Sequence, residues 1–82
     1  MDSKIRLNDI GKGFVESLRE KYLAEMSEAK STLRLYTNGL SGIGEHSKIT
    51  EEQNTWLQKY SDAKGKLDAI NDLFALEGNI NG

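Results

Sequence analysis

Ile49, Gln53, Trp56, Tyr60, Ala63, Leu67, Ile70 and Phe74 follow one another at spacings of 4, 3, 4, 3, 4, 3 and 4. Only a helix keeps such a series on one face; a strand would divide it between two. An unbroken heptad of this length is the signature of a helix packed along its whole length on another helix. The chain supplies the second helix itself. Val15, Leu18, Tyr22, Met26, Ala29, Leu33 and Tyr36 recur at 3, 4, 4, 3, 4 and 3, a heptad seam with one long step, a stutter, at Tyr22 to Met26. Phe14 and Leu23 widen the first stripe, and Leu57 and Leu73 the second. Proline is absent, no segment sustains strand-type alternation, and the long segments are rich in good helix formers. The expected fold is all-α: an antiparallel helical hairpin with helices at about 14–38 and 47–76.

Around these helices the 82 residues divide into an arm at 1–13, a bend at 39–46 and a fraying tail at 77–82, all within one small domain. The arm carries Ile5, Leu7 and Ile10. A short helix capped from Ser3, a docked arm and a disordered arm all fit it, and "GKG" at 11–13 separates it from the first long helix. Asn38-Gly39 supplies a left-handed stop, with Leu40 folding back on Leu35. Thr50 with Gln53 reads as a capping box for the second helix, with Ser47 as another possible cap. Glu51 and Glu52 then favour the positive end of its dipole. Gly65, off the seam, belongs outside or beneath a close neighbour, and Gly78 ends the helix. The bend "GLSGIGEHSKIT" turns on Gly39, Gly42 and Gly44, with Ile43 plugging the end of the seam and His46 opening the second helix.

Enzyme chemistry finds little purchase. "GLSGIG" lacks the GK[ST] ending of a phosphate loop, and no strand precedes it. Glu45-His46 offers a titratable pair, but two helices enclose no pocket of the usual size for it to serve. One histidine and no cysteine do not make a zinc site, and the acids near the bend lack the calcium-loop pattern. No cofactor or metal is expected, nor is an enzyme. Net charge is −2, and the first half holds seven basic and six acidic residues against four and seven in the second. Interleaved acids cancel most of the basic residues of the first helix, with Lys30 and Arg34 the pair that share a face, so nucleic acid is not expected. No stretch approaches the ~18 apolar residues of a membrane span, and the first residues have no signal-peptide core. A chain that is not membrane-embedded, in the cytoplasm, is the corresponding expectation.

Two helices with stripes this wide cannot bury both completely against each other, so apolar surface is left for a partner. Tyr22, Met26, Leu33, Tyr36, Trp56, Tyr60, Leu67, Ile70 and Phe74 are the candidate core and association residues. A homodimer whose core is a four-helix bundle is the simplest way to cover the surplus.

The segment from about Glu25 to Phe74, with "Y-x-N-x-x-x-GIGEH" at Tyr36, Asn38 and Gly42 to His46, resembles a group of small helical proteins of T4-like tailed bacteriophages. The chain departs from it at Ser47, where members often carry proline, and at Asn38-Gly39, where they often carry Asn-Pro. Among proteins of this size in T-even phages, the resemblance points to the lysis-inhibition accessory proteins. It implies a cytoplasmic antiholin that binds the cytoplasmic segment of the phage holin and delays host lysis, with no catalytic residues to carry over. A structural or assembly factor acting as a helical scaffold or chaperone is the alternative, and a small nucleic-acid-associated regulator a third reading.

Overall fold

The computed structural model describes residues 3–39 and 46–76. Two helices account for most of them: α1, Asp9–Arg34, continued by a π-helical turn at Leu35–Gly39, and α2, His46–Leu73. Val15 clusters with Ile70 at one end of the pair, while at the other Gln53 donates to the Thr37 hydroxyl at 3.3 Å. The helices therefore run antiparallel, and the hairpin is as the seams predict. It is a rod, 53 × 22 × 21 Å, with an open end where α1 starts and α2 stops.

Helix α1 begins at Asp9, ahead of the expected start at about Phe14, so "GKG" lies inside the helix and not before it. The reason is local. Asn8 is extended (φ −82°, ψ −177°) and its Oδ1 accepts from the Gly11 N–H at 2.8 Å, which satisfies one of the four donors that every helix start leaves open. Asp9 in the first turn adds a favourable charge at the positive end of the helix dipole. The cap is close: a Cβ on Gly11 would stand 3.3 Å from that Oδ1 and 3.4 Å from Leu7. Glycine here costs helix propensity and gains room for the cap. At the far end the winding continues through Gly39 as a π turn, with the Leu35 N–H shared between the Ser31 and Thr32 carbonyls. Leu40, expected to fold back on Leu35, lies outside the described residues, as do Gly42, Ile43, Gly44, Gly78 and the rest of the tail.

Helix α2 starts at His46 and holds no acid in its first turn. The expected capping box is overturned. Thr50 sits in the second turn, Ser47 is inside the helix, and Gln53 spends its amide on Thr37 across the seam. Glu51 and Glu52 are likewise too far along to meet the free N–H groups. The helix ends at Leu73, short of the expected 76. The Ile5 N–H donates to the Leu73 carbonyl at 2.7 Å, and the Ala75 N–H to the Ile5 carbonyl at 2.9 Å. This single parallel bridge between Ile5 and Phe74 ties residues 3–8 to the end of α2. Leaving the helix there turns Leu76 into the interior, where it is 5% exposed.

Core burial follows the seams. Val15, Ala29, Ala63, Leu67, Ile70 and Leu76 are buried, and the other seam positions are half-buried except Leu18, which lies at the seam's edge just before the stutter. Val15, Ile70 and Leu76 form the main cluster, with Leu7, Tyr22 and Phe74 packed against it. Register sets Ala29 level with Trp56 and Tyr60, and Ala63 level with Tyr22 and Met26. The rings of Tyr22, Trp56 and Tyr60 thus each stand level with an alanine, which leaves room for the helices to approach. The outer faces carry i,i+3 and i,i+4 pairs such as Lys21–Glu25 at 2.6 Å and Lys64–Asp68 at 3.5 Å, worth a few tenths of a kcal/mol each.

Gly65 is exposed, and a Cβ built on it meets nothing within 4 Å; of its two expected placements, the outside is the one found. Gly65→Ala should therefore stabilise the protein by about 1 kcal/mol through helix propensity, raising the melting temperature by about 4–8 °C for a chain of this size. Calorimetry of the two proteins at equal concentration checks this. An unchanged or lowered melting temperature would show that α2 is not helical at this point in solution.

Candidate interaction surface

Every association residue named from the sequence lies on the seam between the two helices of one chain. Leu67 and Ile70 are buried; Tyr22, Met26, Leu33, Tyr36, Trp56, Tyr60 and Phe74 are half-buried. They are only half-covered because a two-helix layer shields a ring on one side. Lysine stems supply part of the remaining cover. Lys21 and Lys66 hold their ammonium groups 4.9 and 5.4 Å from the centre of the Tyr22 ring, and Lys59 stands 5.1 Å from that of Trp56. Cations over aromatic faces are favourable, and their methylenes shade apolar surface. The Lys21 pKa is raised, first by its hydrogen bond to Glu25 and then by that carboxylate's charge.

Trp56, Lys59, Glu25 and Glu28 frame a cleft of about 190 Å³, smaller than the usual ligand pocket of about 300–1,000 Å³. Among the described residues no cluster of histidine and acids is placed to hold a metal ion. Of the bend residues, Gly39 closes the π turn and His46 is the first residue of α2.

Among the described residues the two most exposed large apolar side chains are elsewhere, Ile10 at 72% and Phe14 at 70%; Leu73 is 52% and Leu18 40% exposed, while Leu57, Leu35, Ile5 and Leu23, at 49–56%, are scattered over other parts of the surface. Ile10, Phe14 and Leu18 are spaced four apart and run along one flank of α1. Leu73 lies on the same flank of α2 at the open end. A shallow groove of about 310 Å³ lined by Asp9, Ile10, Gly13, Phe14 and Ser17 adjoins them, and Gly13 leaves it unobstructed, with nothing within 4 Å of a Cβ there. Phe14 and Leu73 were legible as stripe-widening residues. Ile10 was not, because "GKG" separated it from the helix; the Asn8-Asp9 cap is the signal that joins Ile10 and Phe14 as neighbours on one helix.

Among the described residues no helix is long and apolar enough to cross a membrane. Compared with known proteins, the chain matches no family model, no curated protein and no solved structure.

Proposed function

We propose that the chain is a non-enzymatic regulatory binding protein that self-associates through the apolar flank at its open end. The observation that carries this is the exposed row Ile10, Phe14 and Leu18 with Leu73 beside it. A two-fold axis through this patch brings Phe14 against its own copy, the self-complementary arrangement of a closed dimer. The specific role follows from the "GIGEH" resemblance: binding to the cytoplasmic segment of a phage holin and delay of lysis, with the dimer's remaining faces available to the target.

Sedimentation equilibrium across a wide concentration range tests self-association. Wild type should reach a dimer. Phe14→Lys should keep its helical circular dichroism and weaken the dimer about thirtyfold or more, since an aromatic anchor at the centre of an interface is worth about 2 kcal/mol or more. A wild-type protein that stays monomeric throughout would overturn the dimer. An immobilised holin cytoplasmic segment that fails to retain the protein would remove the lysis role and leave the dimer standing. Recovery of the protein in purified virions or proheads would favour the scaffold alternative.

A further inference from the structure

The cleft framed by Glu25, Glu28, Trp56 and Lys59, about 190 Å³ in volume, is too small for a drug-sized ligand but of the scale of a single side-chain head group. Its place follows from the register. Ala29 is level with Trp56, Glu28 precedes Ala29 on α1, and Glu25 stands one turn before Glu28. Trp56 and Lys59 are three apart on α2 and are therefore neighbours on its surface. One indole ring and two carboxylates from the facing helix thus border one space. Glu28 is fourteen residues beyond Phe14, about 21 Å along α1, so the cleft and the apolar open end are separate places.

Several polar groups of this space have no partner. Glu25 Oε2 accepts from Lys21 at 2.6 Å, and its Oε1 has no hydrogen bond among the described residues. Glu28 makes neither a hydrogen bond nor an ion pair among them. Lys59 holds its ammonium 5.1 Å from the centre of the Trp56 ring but pairs with neither carboxylate. Two glutamates and one lysine give the lining a formal charge of −1. The indole face already takes a cation in this structure, and that cation is the head of an exposed, flexible lysine that can swing into water. A ring that attracts a cation, beside carboxylates with open lone pairs, suits a flat cation rich in N–H donors.

We propose that the cleft is a docking site for an arginine side chain of a partner protein, its guanidinium stacked on Trp56 in place of the Lys59 ammonium and donating to Glu28 and to Oε1 of Glu25. The inference rests on the reading of the chain as a protein-binding module and names the chemistry of the group it holds. A guanidinium is planar and weakly hydrated, so it stacks on an indole and still presents N–H groups at its edge. Those donors match a carboxylate in fork geometry. A quaternary ammonium has no N–H to give the glutamates, and a partner's lysine brings only what Lys59 already supplies. A metal ion is disfavoured, because among the described residues no three histidine, cysteine or acidic side chains gather to hold one. Phosphate is repelled by the charge of the lining.

Trp56 is the only tryptophan, so its fluorescence reports on the cleft directly. The full-length protein is titrated at low salt with the blocked peptide acetyl-Gly-Arg-Gly-amide and with the same peptide carrying citrulline, the neutral isostere of arginine. The arginine peptide should give a saturable change with a dissociation constant of about 1–10 mM, the strength of one exposed stacked and charged contact, and should weaken as salt is raised. The citrulline peptide should bind about tenfold more weakly or worse. Glu25→Gln with Glu28→Gln should keep the helical circular dichroism and lose about fivefold in affinity. Lys59→Gln should tighten binding about threefold, because it clears the resident cation from the ring; a lysine with only a structural role would not move affinity in that direction. No saturable change, an equal response to citrulline, unaltered affinity in the double glutamine variant, weaker binding by Lys59→Gln, or tighter binding of a trimethyllysine peptide than of the arginine peptide would each overturn the proposal. A monomer that binds the arginine peptide would remove self-association alone, and a dimer that ignores it would remove this cleft alone.

Discussion

Ile70→Ala is expected to lower the stability of the fold by about 2–5 kcal/mol, the usual cost of truncating a buried aliphatic side chain. Ile70 is 6% exposed and sits between Val15 and Leu76, with Leu7, Tyr22 and Phe74 around it. These residues come from the arm, both helices and the end of α2, so one side chain holds four segments together. The effect is large relative to the whole: at about 0.05–0.15 kcal/mol per residue, a chain of 82 residues has roughly 4–12 kcal/mol in total. Of the six apolar residues buried among the described ones, two are alanines, which contribute little to burial, so few other described groups can offset the loss. Urea denaturation at one fixed protein concentration measures the change, with Leu57→Ala, at a position 56% exposed, as the comparison expected to stay within about 1 kcal/mol. Hydrogen exchange adds a local readout. The Ile5 and Ala75 amides, bonded across the arm–helix bridge, should lose protection before the middle of α2 does. A variant that denatures like wild type would show that the open-end cluster is not the core.

What the sequence disclosed and what it hid divide along a physical line. Heptad spacing reports which residues face a neighbour, and there it succeeded. Val15, Ala29, Ala63, Leu67 and Ile70 are buried where the seams place them, because a period repeated over seven or eight positions averages out local exceptions. Helix ends depend on single hydrogen bonds, and there it failed. "GKG" reads as a break only if glycine propensity decides, whereas the Asn8 cap outweighs it. Thr50 and Gln53 have the spacing of a capping box, but a tertiary bond to Thr37 claims Gln53. Leu7 and Leu76 belong to no periodic run. They are in the cluster because the bridge at Ile5 carries both segments over the open end, a contact between the two extremities of the chain that no local pattern announces. The apolar surplus was legible as stripes too wide for two helices. That Ile10 joins Phe14 on one flank was not, since that depends on where α1 begins.

The second large effect tests the pairing of small residues with large rings. Ala29 is fully buried, at 0% exposure, and level with Trp56 and Tyr60. Ala29→Asp places a carboxylate in the buried seam between the helices, where no charged or polar residue among the described ones is buried to meet it. Burying an unpaired charge costs several kcal/mol, so a loss of about 3 kcal/mol or more is expected, enough to populate the unfolded chain at 25 °C. The pH dependence identifies the cause. Burial disfavours the charged form, so the new carboxyl has a folded-state pKa above its unfolded one. Stability retained with the neutral acid is therefore fully present below the unfolded value, near 4, and is lost as pH rises through the raised folded value. Circular dichroism followed from pH 7 down toward 4 should show helix returning in this variant. Ala29→Asn, of nearly the same shape and without a titrating group, should be destabilised with no such recovery, since wild-type surface pairs such as Lys21–Glu25 are exposed and change little. If both variants melt alike at every pH, the cost is steric and the site is crowded without being dry. If Ala29→Asp melts like wild type, the helices do not close on each other at Ala29, and the alternation of small residues with rings does not set their spacing.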